Sequence, residues 1–559
     1  MMGSGCSSGN HKGESARELV QSGIPSRRRE TVMAESKGSG CALRRYAGVV
    51  GLWLLSALAG PGPGAVAAGP EYGGTLIMGV EQEFRGFDPL KAKYLGVGDR
   101  SVIIAIEERL FELDAKGNLE PELGLAAKPS KDKKSWTITL RRGVFFHDGT
   151  PFNADAVLEH WQRLLDPANR YFALPLLKPI AAVQKIDDFT VKFVLKHPWA
   201  AFAQTISAPV GFQAYIPSPK AVREGTQDRA PVGTGPFIFK EWKTNDRLVA
   251  VRNPKHWRKG KPYLDTVIFR PMNDMQTRFA SLQSGETDLI HTDRGNSIQQ
   301  ALEDRSLKVY QNDASGPYNF LFNTAKPPVN DIRVRQALAH AWNQELLVKL
   351  VYKDTLPLAR DPFGGAFSCG DTGYRDYNPH KAKKLLAQYG KSVELEMLHT
   401  ATARGKEAGE ITQRLFKDVG VTLKLVPVSE GELFKRVIAG DYQFAGWKFM
   451  DLPDMGPLLN NVLHSDSSLN YTKYSHPQMD ALLDQQTMSL DSATRKKALC
   501  GVARLVNDDA VYLYGGGRRF HLIAKSALRG MTGAEHGMIR ASDLWIAGAG
   551  KGGKQLSQP

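Results

Sequence analysis

A chain of 559 residues is long enough for two or three lobes with sizeable cores. Its 42% hydrophobic and 23% charged residues exclude wholesale disorder. The formal net charge of +15 raises nucleic acid or an anionic membrane as partners, but the longest basic run, Arg27-Arg28-Arg29, lies near the N-terminus, and elsewhere Lys and Arg are scattered among acids, as in Lys131-Asp132-Lys133-Lys134. A solvated basic surface is expected, and no nucleic-acid site.

The N-terminal stretch reads as an export address. Arg44-Arg45 precedes an apolar run from Tyr46 to Ala59, then a helix-breaking Gly-Pro-Gly-Pro-Gly stretch and Ala65-Val66-Ala67-Ala68. A charged segment, an apolar segment and a small-residue cleavage site follow one another as in a secretory signal. The apolar run is short for a membrane span, which needs about 20 residues. Residues 1–68 are thus read as leader and signal peptide, with Met33 as an alternative start. Cys41 precedes the apolar run and no Cys follows it at the cleavage site, so a periplasmic protein without a lipid anchor is expected. Beyond the leader the cysteines are Cys369 and Cys500. Export permits a disulfide between them; two buried free thiols is the alternative, since spacing alone does not bring two sulfurs together.

In chain order, Gly73-Gly74 opens a strand to Val80. Ser135–Leu140 alternates polar and apolar residues, as a half-buried strand does. Asn153 caps a helix from Ala154 to Leu165, closed by Asp166-Pro167. Phe189–Leu195 is a further strand, and Phe237–Trp242 with Leu248–Val251 forms a hairpin. Ile332 to about Tyr352 reads as one amphipathic helix, with Val334, Leu338, Ala341, Trp342 and Leu346 on one face. Asn378-Pro379 starts another, stopped by Gly390. A strand–helix alternation follows: strand Val393–Leu398, helix Glu407–Asp418, strand Val421–Val428, helix Gly431–Ala439, strand Tyr442–Trp447. Such units imply a mainly parallel sheet with helices on its faces. Helices Pro477–Thr487 and Ser492–Asn507 lead into strand Val511–Tyr514.

Beyond the leader the sequence carries no nucleophile elbow, P-loop, His-Glu-x-x-His or zinc-spaced Cys pair. Gly233-Thr-Gly235-Pro236 is a poor phosphate loop, because its Pro lacks a backbone donor and a strand follows. His147-Asp148 could form a base pair for proton abstraction, but its neighbours indicate a tight turn. No catalytic residue, metal site or cofactor is expected, although a scattered catalytic set of a secreted hydrolase leaves no motif.

Several segments resemble the peptide/nickel/oligopeptide-binding family (family 5) of bacterial ABC-importer solute receptors: Glu108–Leu123 with Ser135–Ala156; Pro231-Val-Gly-Thr-Gly-Pro-Phe237 with Arg252-Asn-Pro-Lys-His-Trp257, Lys261–Asp265 and Leu282–Asp288; and Phe322-Asn-Thr324 with Val329–Leu338. They occur in family order across nearly the whole chain after the leader. The resemblance implies an α/β fold of the periplasmic-binding-protein type (type II, cluster C), a two-lobed clam with an extra inserted lobe. Its first lobe would combine 71–112, 188–318 and 512–550, the inserted lobe would be 113–187, and the second, ligand-closing lobe 319–511. It further implies a monomer that binds a peptide or similar small solute and hands it to an ABC-importer permease; a chaperone or sensor reusing the fold is the other non-enzymatic reading.

In peptide-binding members, an Asp following a Trp holds the ligand's α-amino group. Here the stretch is Gly446-Trp447-Lys448-Phe449-Met450-Asp451-Leu452-Pro453-Asp454-Met455, and Asp451 is the nearest match, with one extra residue before it and Met455 where the family often has Pro. Trp447 serves either the ligand or the core. Arg404, ahead of the Glu407 helix, is the candidate for a ligand carboxylate.

Overall fold

The computed structural model describes residues 69–92, 97–113, 118–208, 212–363, 369–450, 452, 454–531 and 537–548. The leader, and Asp451 with it, lie outside the described residues. Among those described, no helix is long and apolar enough to cross a membrane.

The backbone is organised by one mixed ten-stranded sheet, in the order Val421–Val428, Val393–Thr400, Phe444–Lys448, Leu307–Phe322, Tyr512–Lys525, Leu289–Thr292, Thr75–Val80, Thr266–Pro271, Arg247–Arg252, Phe237–Lys243. Two of these strands are far longer than the rest. Leu307–Phe322 and Tyr512–Lys525 run antiparallel, with Leu307 opposite Lys525 and Leu321 opposite Tyr512, and the register slips between Asp313, Pro317 and Asn319. Gly316 (φ +76°) and Gly516 (φ +115°) take left-handed backbone at that slip, which L side chains rarely adopt. A Cβ on Gly516 would stand 2.9 Å from Val348 Cγ2. The glycine run Gly515–Gly517 therefore continues the strand under a tight roof, and the strand extends well past the expected Tyr514.

Either side of the long pair has its own packing. On one side Leu76, Met78, Val80, Val267, Phe269 and Leu289 share a core. On the other, strand alternation divides side chains between two faces. Leu395, Met397, Leu423 and Phe444 pack against Val334, Leu338 and Phe416 on one face. Leu398 and Ala445 pack with Val437, Leu459 and Val502 on the other. Strand Val393–Thr400 pairs in parallel with Val421–Val428 and with Phe444–Lys448, as the strand–helix alternation predicts. A separate antiparallel sheet orders Gly124–Pro129, Ser135–Leu140, Thr190–Leu195 and Ile180–Asp187. Helix Ala154–Leu165 covers it through the fully buried Trp161, after Asn153 caps the amides of Asp155 and Ala156 at 3.1 and 3.2 Å.

Two more expectations are corrected. The large sheet is mixed rather than mainly parallel, because the two long strands and the hairpin at one edge pair antiparallel with their neighbours, five of the nine pairings in all. The single helix from Ile332 to Tyr352 is two, Ile332–Ala341 and Gln344–Tyr352. Trp342 is extended (ψ 123°), and Asn343 caps the second helix by accepting from the Leu346 amide at 2.9 Å. The break places the Trp342 indole N–H on the Tyr514 carbonyl at 2.8 Å, a bond that burial of the indole makes costly to lose. The apolar periodicity survives the break because both helices pack on the same core.

Candidate functional site

Parallel strands bring their C-terminal ends to one edge of a sheet, where following loops and helix starts can converge on a ligand. Glu81 follows Val80 at the end of its strand. Strand Leu289–Thr292 delivers His291 and Asp293 beside it. From the opposite side, Val393–Thr400 leads to Thr402, which caps helix Ala403–Lys417 and sets Arg404 in its first turn. Phe444–Lys448 delivers Trp447, Lys448 and Phe449. The long strands contribute Tyr318, Arg518 and Phe520 from the middle.

These groups meet across the seam. Arg404 forms an ion pair with Asp293, Arg85 Nη2 lies 3.6 Å from Glu430 Oε2, and Arg294 Nη1 lies 3.6 Å from Glu407 Oε1. Glu81 Oε2 lies 3.3 Å from His291 Nδ1. Burial pushes the Glu81 carboxyl up, but the charges of His291, Lys448 and Arg278 together hold it below the usual carboxylate range. Burial lowers the Arg404 guanidinium against the opposing pull of Glu81 and Glu430. Arg404 and Arg518 both stand over the Tyr318 ring, at 5.6 and 5.9 Å from its centroid, and Arg518 also lies 5.8 Å from that of Phe520. Tyr318 in turn stacks on Tyr352. The site thus combines charges of both signs with aromatic faces, a chemistry that suits an ionised, partly apolar solute.

Trp447 is half-buried, stacked on the exposed Phe434 (5.7 Å, 14°) and edge-on to Tyr471 at 5.7 Å. It packs at the margin of the core that contains Leu398 and Ala445. The loop after it is tethered at two points: Arg518 Nη1 donates to the Phe449 carbonyl at 3.0 Å, and Arg495 Nη2 meets Asp454 Oδ1 at 2.7 Å. Where this loop meets Leu176, Gln204 and Gln213 a cavity of 10 Å³ remains, room for about one water and no solute.

Other sequence candidates find structural partners. His147 Nε2 lies 2.9 Å from the Gly235 carbonyl, and Asp148 accepts from Ser218 Oγ at 2.5 Å and the Thr150 amide at 2.9 Å, so the pair builds a turn. Gly233 and Gly235 pass so close to the Ile106 carbonyl that a Cβ would stand 2.2 and 2.6 Å from it. Buried Glu108 accepts from Thr234 Oγ1 (2.8 Å) and Trp257 Nε1 (2.7 Å), and lies 3.0 Å from His256 Nε2. The segments that carry the family resemblance are therefore tied to one another far along the chain, as scaffold. Cys369 and Cys500 are joined in a disulfide, with Cα atoms 5.3 Å apart.

A family model for bacterial extracellular solute-binding proteins, family 5 (middle region), matches residues 118–470, more than half of the chain. The chain belongs to that family. It is a receptor that binds a solute outside the cytoplasm. Among its relatives, the nickel-binding periplasmic protein of Escherichia coli K12 is 27% identical over 435 residues, 73% of this chain and 83% of the relative. The probable di/tripeptide-binding protein 5 of Pseudomonas aeruginosa is 28% identical over 487 residues, 80% of this chain and 90% of the relative. The solved structure of the ABC transporter-associated periplasmic binding protein DppA from Helicobacter pylori, in complex with the peptide STSA, superposes with a TM-score of 0.75 at 23% identity, covering 85% of this chain and 98% of that one. The fold is that of the type II periplasmic binding proteins.

Asp293, Glu81, Tyr318 and Arg518 were not singled out from sequence. They sit on four separate strands or strand ends, and the only local signal was the glycine triplet ahead of Arg518, which marks unusual backbone.

Proposed function

We propose that the protein captures a small peptide or peptide-like solute in the seam around Arg404, Tyr318 and Trp447 and delivers it to the permease of an ABC importer. It acts as a monomer and performs no chemistry on the solute. The lobes are 71–112 with 188–318 and 512–550, an inserted lobe 113–187, and a closing lobe 319–511, with the long strand pair as hinge. Asp451 holds the ligand ammonium, Trp447 flanks it, and Arg404 supplies positive charge toward the carboxylate end. Residues 1–68 are removed on export, and no lipid anchor is added.

The observation that carries this reading is the set of three ion pairs spanning the seam, Arg404–Asp293, Arg85–Glu430 and Arg294–Glu407. Paired charges on opposing faces allow the faces to part and close around a bound ion. The di/tripeptide relative supports a peptide-like solute, and the nickel-binding relative favours a metal chelate as the second reading. Mass spectrometry of the solute that co-purifies decides between them. Calorimetric titration of that solute into wild type and Asp451→Ala then tests the anchor: loss of a buried charge-assisted contact costs roughly 2–5 kcal/mol, about 30-fold or more in affinity. Equal binding by the two proteins would remove Asp451 from the site, and a solute with no positive charge would remove the peptide reading.

A further inference from the structure

Strand alternation turns Arg518 inward and Arg519 outward. Arg519 is partly exposed and paired with Asp313. Arg518 retains 8% exposure, yet among the described residues no carboxylate forms an ion pair with it. Among the described residues its one hydrogen bond is to the Phe449 carbonyl. Among the described residues, two other buried arginines that form no close ion pair are better met. Arg278 donates to the carbonyls of His291 and Met272, and Arg335 to those of Asp509, Val329 and Asn330. A guanidinium has five N–H donors, and burying its charge without a counter-charge is costly. Neighbouring Arg404 has Asp293, so the two cations that share the Tyr318 face differ: among the described residues one has a carboxylate partner and the other has none.

We propose that Arg518 is the specificity-determining anion contact of this receptor, and that the transported solute presents a carboxylate to it over the Tyr318 ring. The Phe449 bond holds one arm of the guanidinium and leaves the other edge for a bidentate pair with the solute. Because Arg518 lies at the register slip of the long strand pair, next to Gly517, the contact also couples solute charge to the place where the two sides hinge. The inference rests on the seam being the solute's site.

The test uses trialanine and its C-terminal amide as probes, with calorimetry on the exported protein and on Arg518→Gln and Trp447→Ala. Wild type should bind trialanine and bind the amide at least 30-fold more weakly. Arg518→Gln should bind trialanine at least 30-fold more weakly than wild type while binding the amide as wild type does; a merely structural arginine would weaken both probes alike. Undiminished trialanine binding by Arg518→Gln, with binding weakened about tenfold in Trp447→Ala, would overturn this inference alone. Binding untouched in both variants would overturn the seam itself as the site. Should wild type bind neither probe, the peptide reading fails and the co-purified solute decides: an acidic solute held by wild type and lost from Arg518→Gln supports the inference, whereas a solute without an acidic group, or one held equally, overturns it. With no solute retained, the melting temperature of the empty protein decides. Arg518→Gln at least as stable as wild type fits a charge reserved for a ligand, and a fall of several degrees marks a structural arginine and overturns the inference.

Discussion

The Cys369–Cys500 bridge closes a loop of 131 residues, and opening it should be visible in stability with little effect on binding. In the chain-entropy account, a cross-link over that separation removes about 5 kcal/mol of freedom from the unfolded chain at 25 °C. Unfolding entropy is about 2.1 cal/mol/K per residue near 60 °C, so this corresponds to about 5 °C if some 490 residues melt as one unit, or about 12 °C if the closing lobe melts alone. The folded state should survive reduction because the same strap is tied to helix Ser492–Asp508 without it. Asn507 Nδ2 donates to the Arg360 and Thr372 carbonyls at 2.9 and 3.1 Å, Arg375 Nη2 to the Asp508 carbonyl at 2.8 Å, and Arg504 to the Asp371 carbonyl at 3.0 Å. The assay is calorimetric melting of oxidised protein, reduced protein and the double variant Cys369→Ala/Cys500→Ala, with thiol titration of the denatured oxidised sample. Reduced and double-variant proteins should melt equally low, and the oxidised sample should show no free thiol. Two titratable thiols in that sample, or equal melting temperatures in all three, would refute the reasoning.

Three further outcomes are expected. Burial lowers His160 and His521 to about 4, so the unfolded chain takes up protons first; stability should be full above about pH 6.5 and fall toward pH 4, by on the order of 3 kcal/mol per histidine, and His160→Gln should shrink the acid-side drop in melting temperature, whereas an unchanged drop would refute the assignment. N-terminal sequencing of the periplasmic protein should begin near Ala68 or Gly69, and a start at Met1 or Met33 would refute cleavage. Trp447→Ala should remove its stack with Phe434, weaken solute binding about tenfold and abolish the solute-induced fluorescence change, so a persisting change would place the reporter elsewhere.

Much of the architecture was legible because it is written locally. Asn153, Asn378 and Gly390 mark helix ends by capping chemistry that needs only a few neighbouring residues, and period-two alternation marks Ser135–Leu140 and Val421–Val428. The ordered motifs also identified the family, although Glu108, Thr234, His256 and Trp257 turn out to hold the scaffold together rather than touch the seam. The break at Trp342 was not legible, because a bond to the Tyr514 carbonyl, 172 residues away, decides it.

The sequence by itself determined part of the helices and strands, the strand–helix order of the closing half and the kinship with solute receptors, but not the longest strand, Leu307–Phe322. Each of these depends on side-chain period, capping or ordered motif along the chain. Tertiary structure alone decided that Arg404 meets Asp293, that Tyr318 lies beneath two guanidiniums, and that Arg518 is buried where Arg519 is paired. Those facts depend on which distant strands become neighbours and where their register slips, and a charge is compensated or left open only by groups the fold brings within a few ångströms of it.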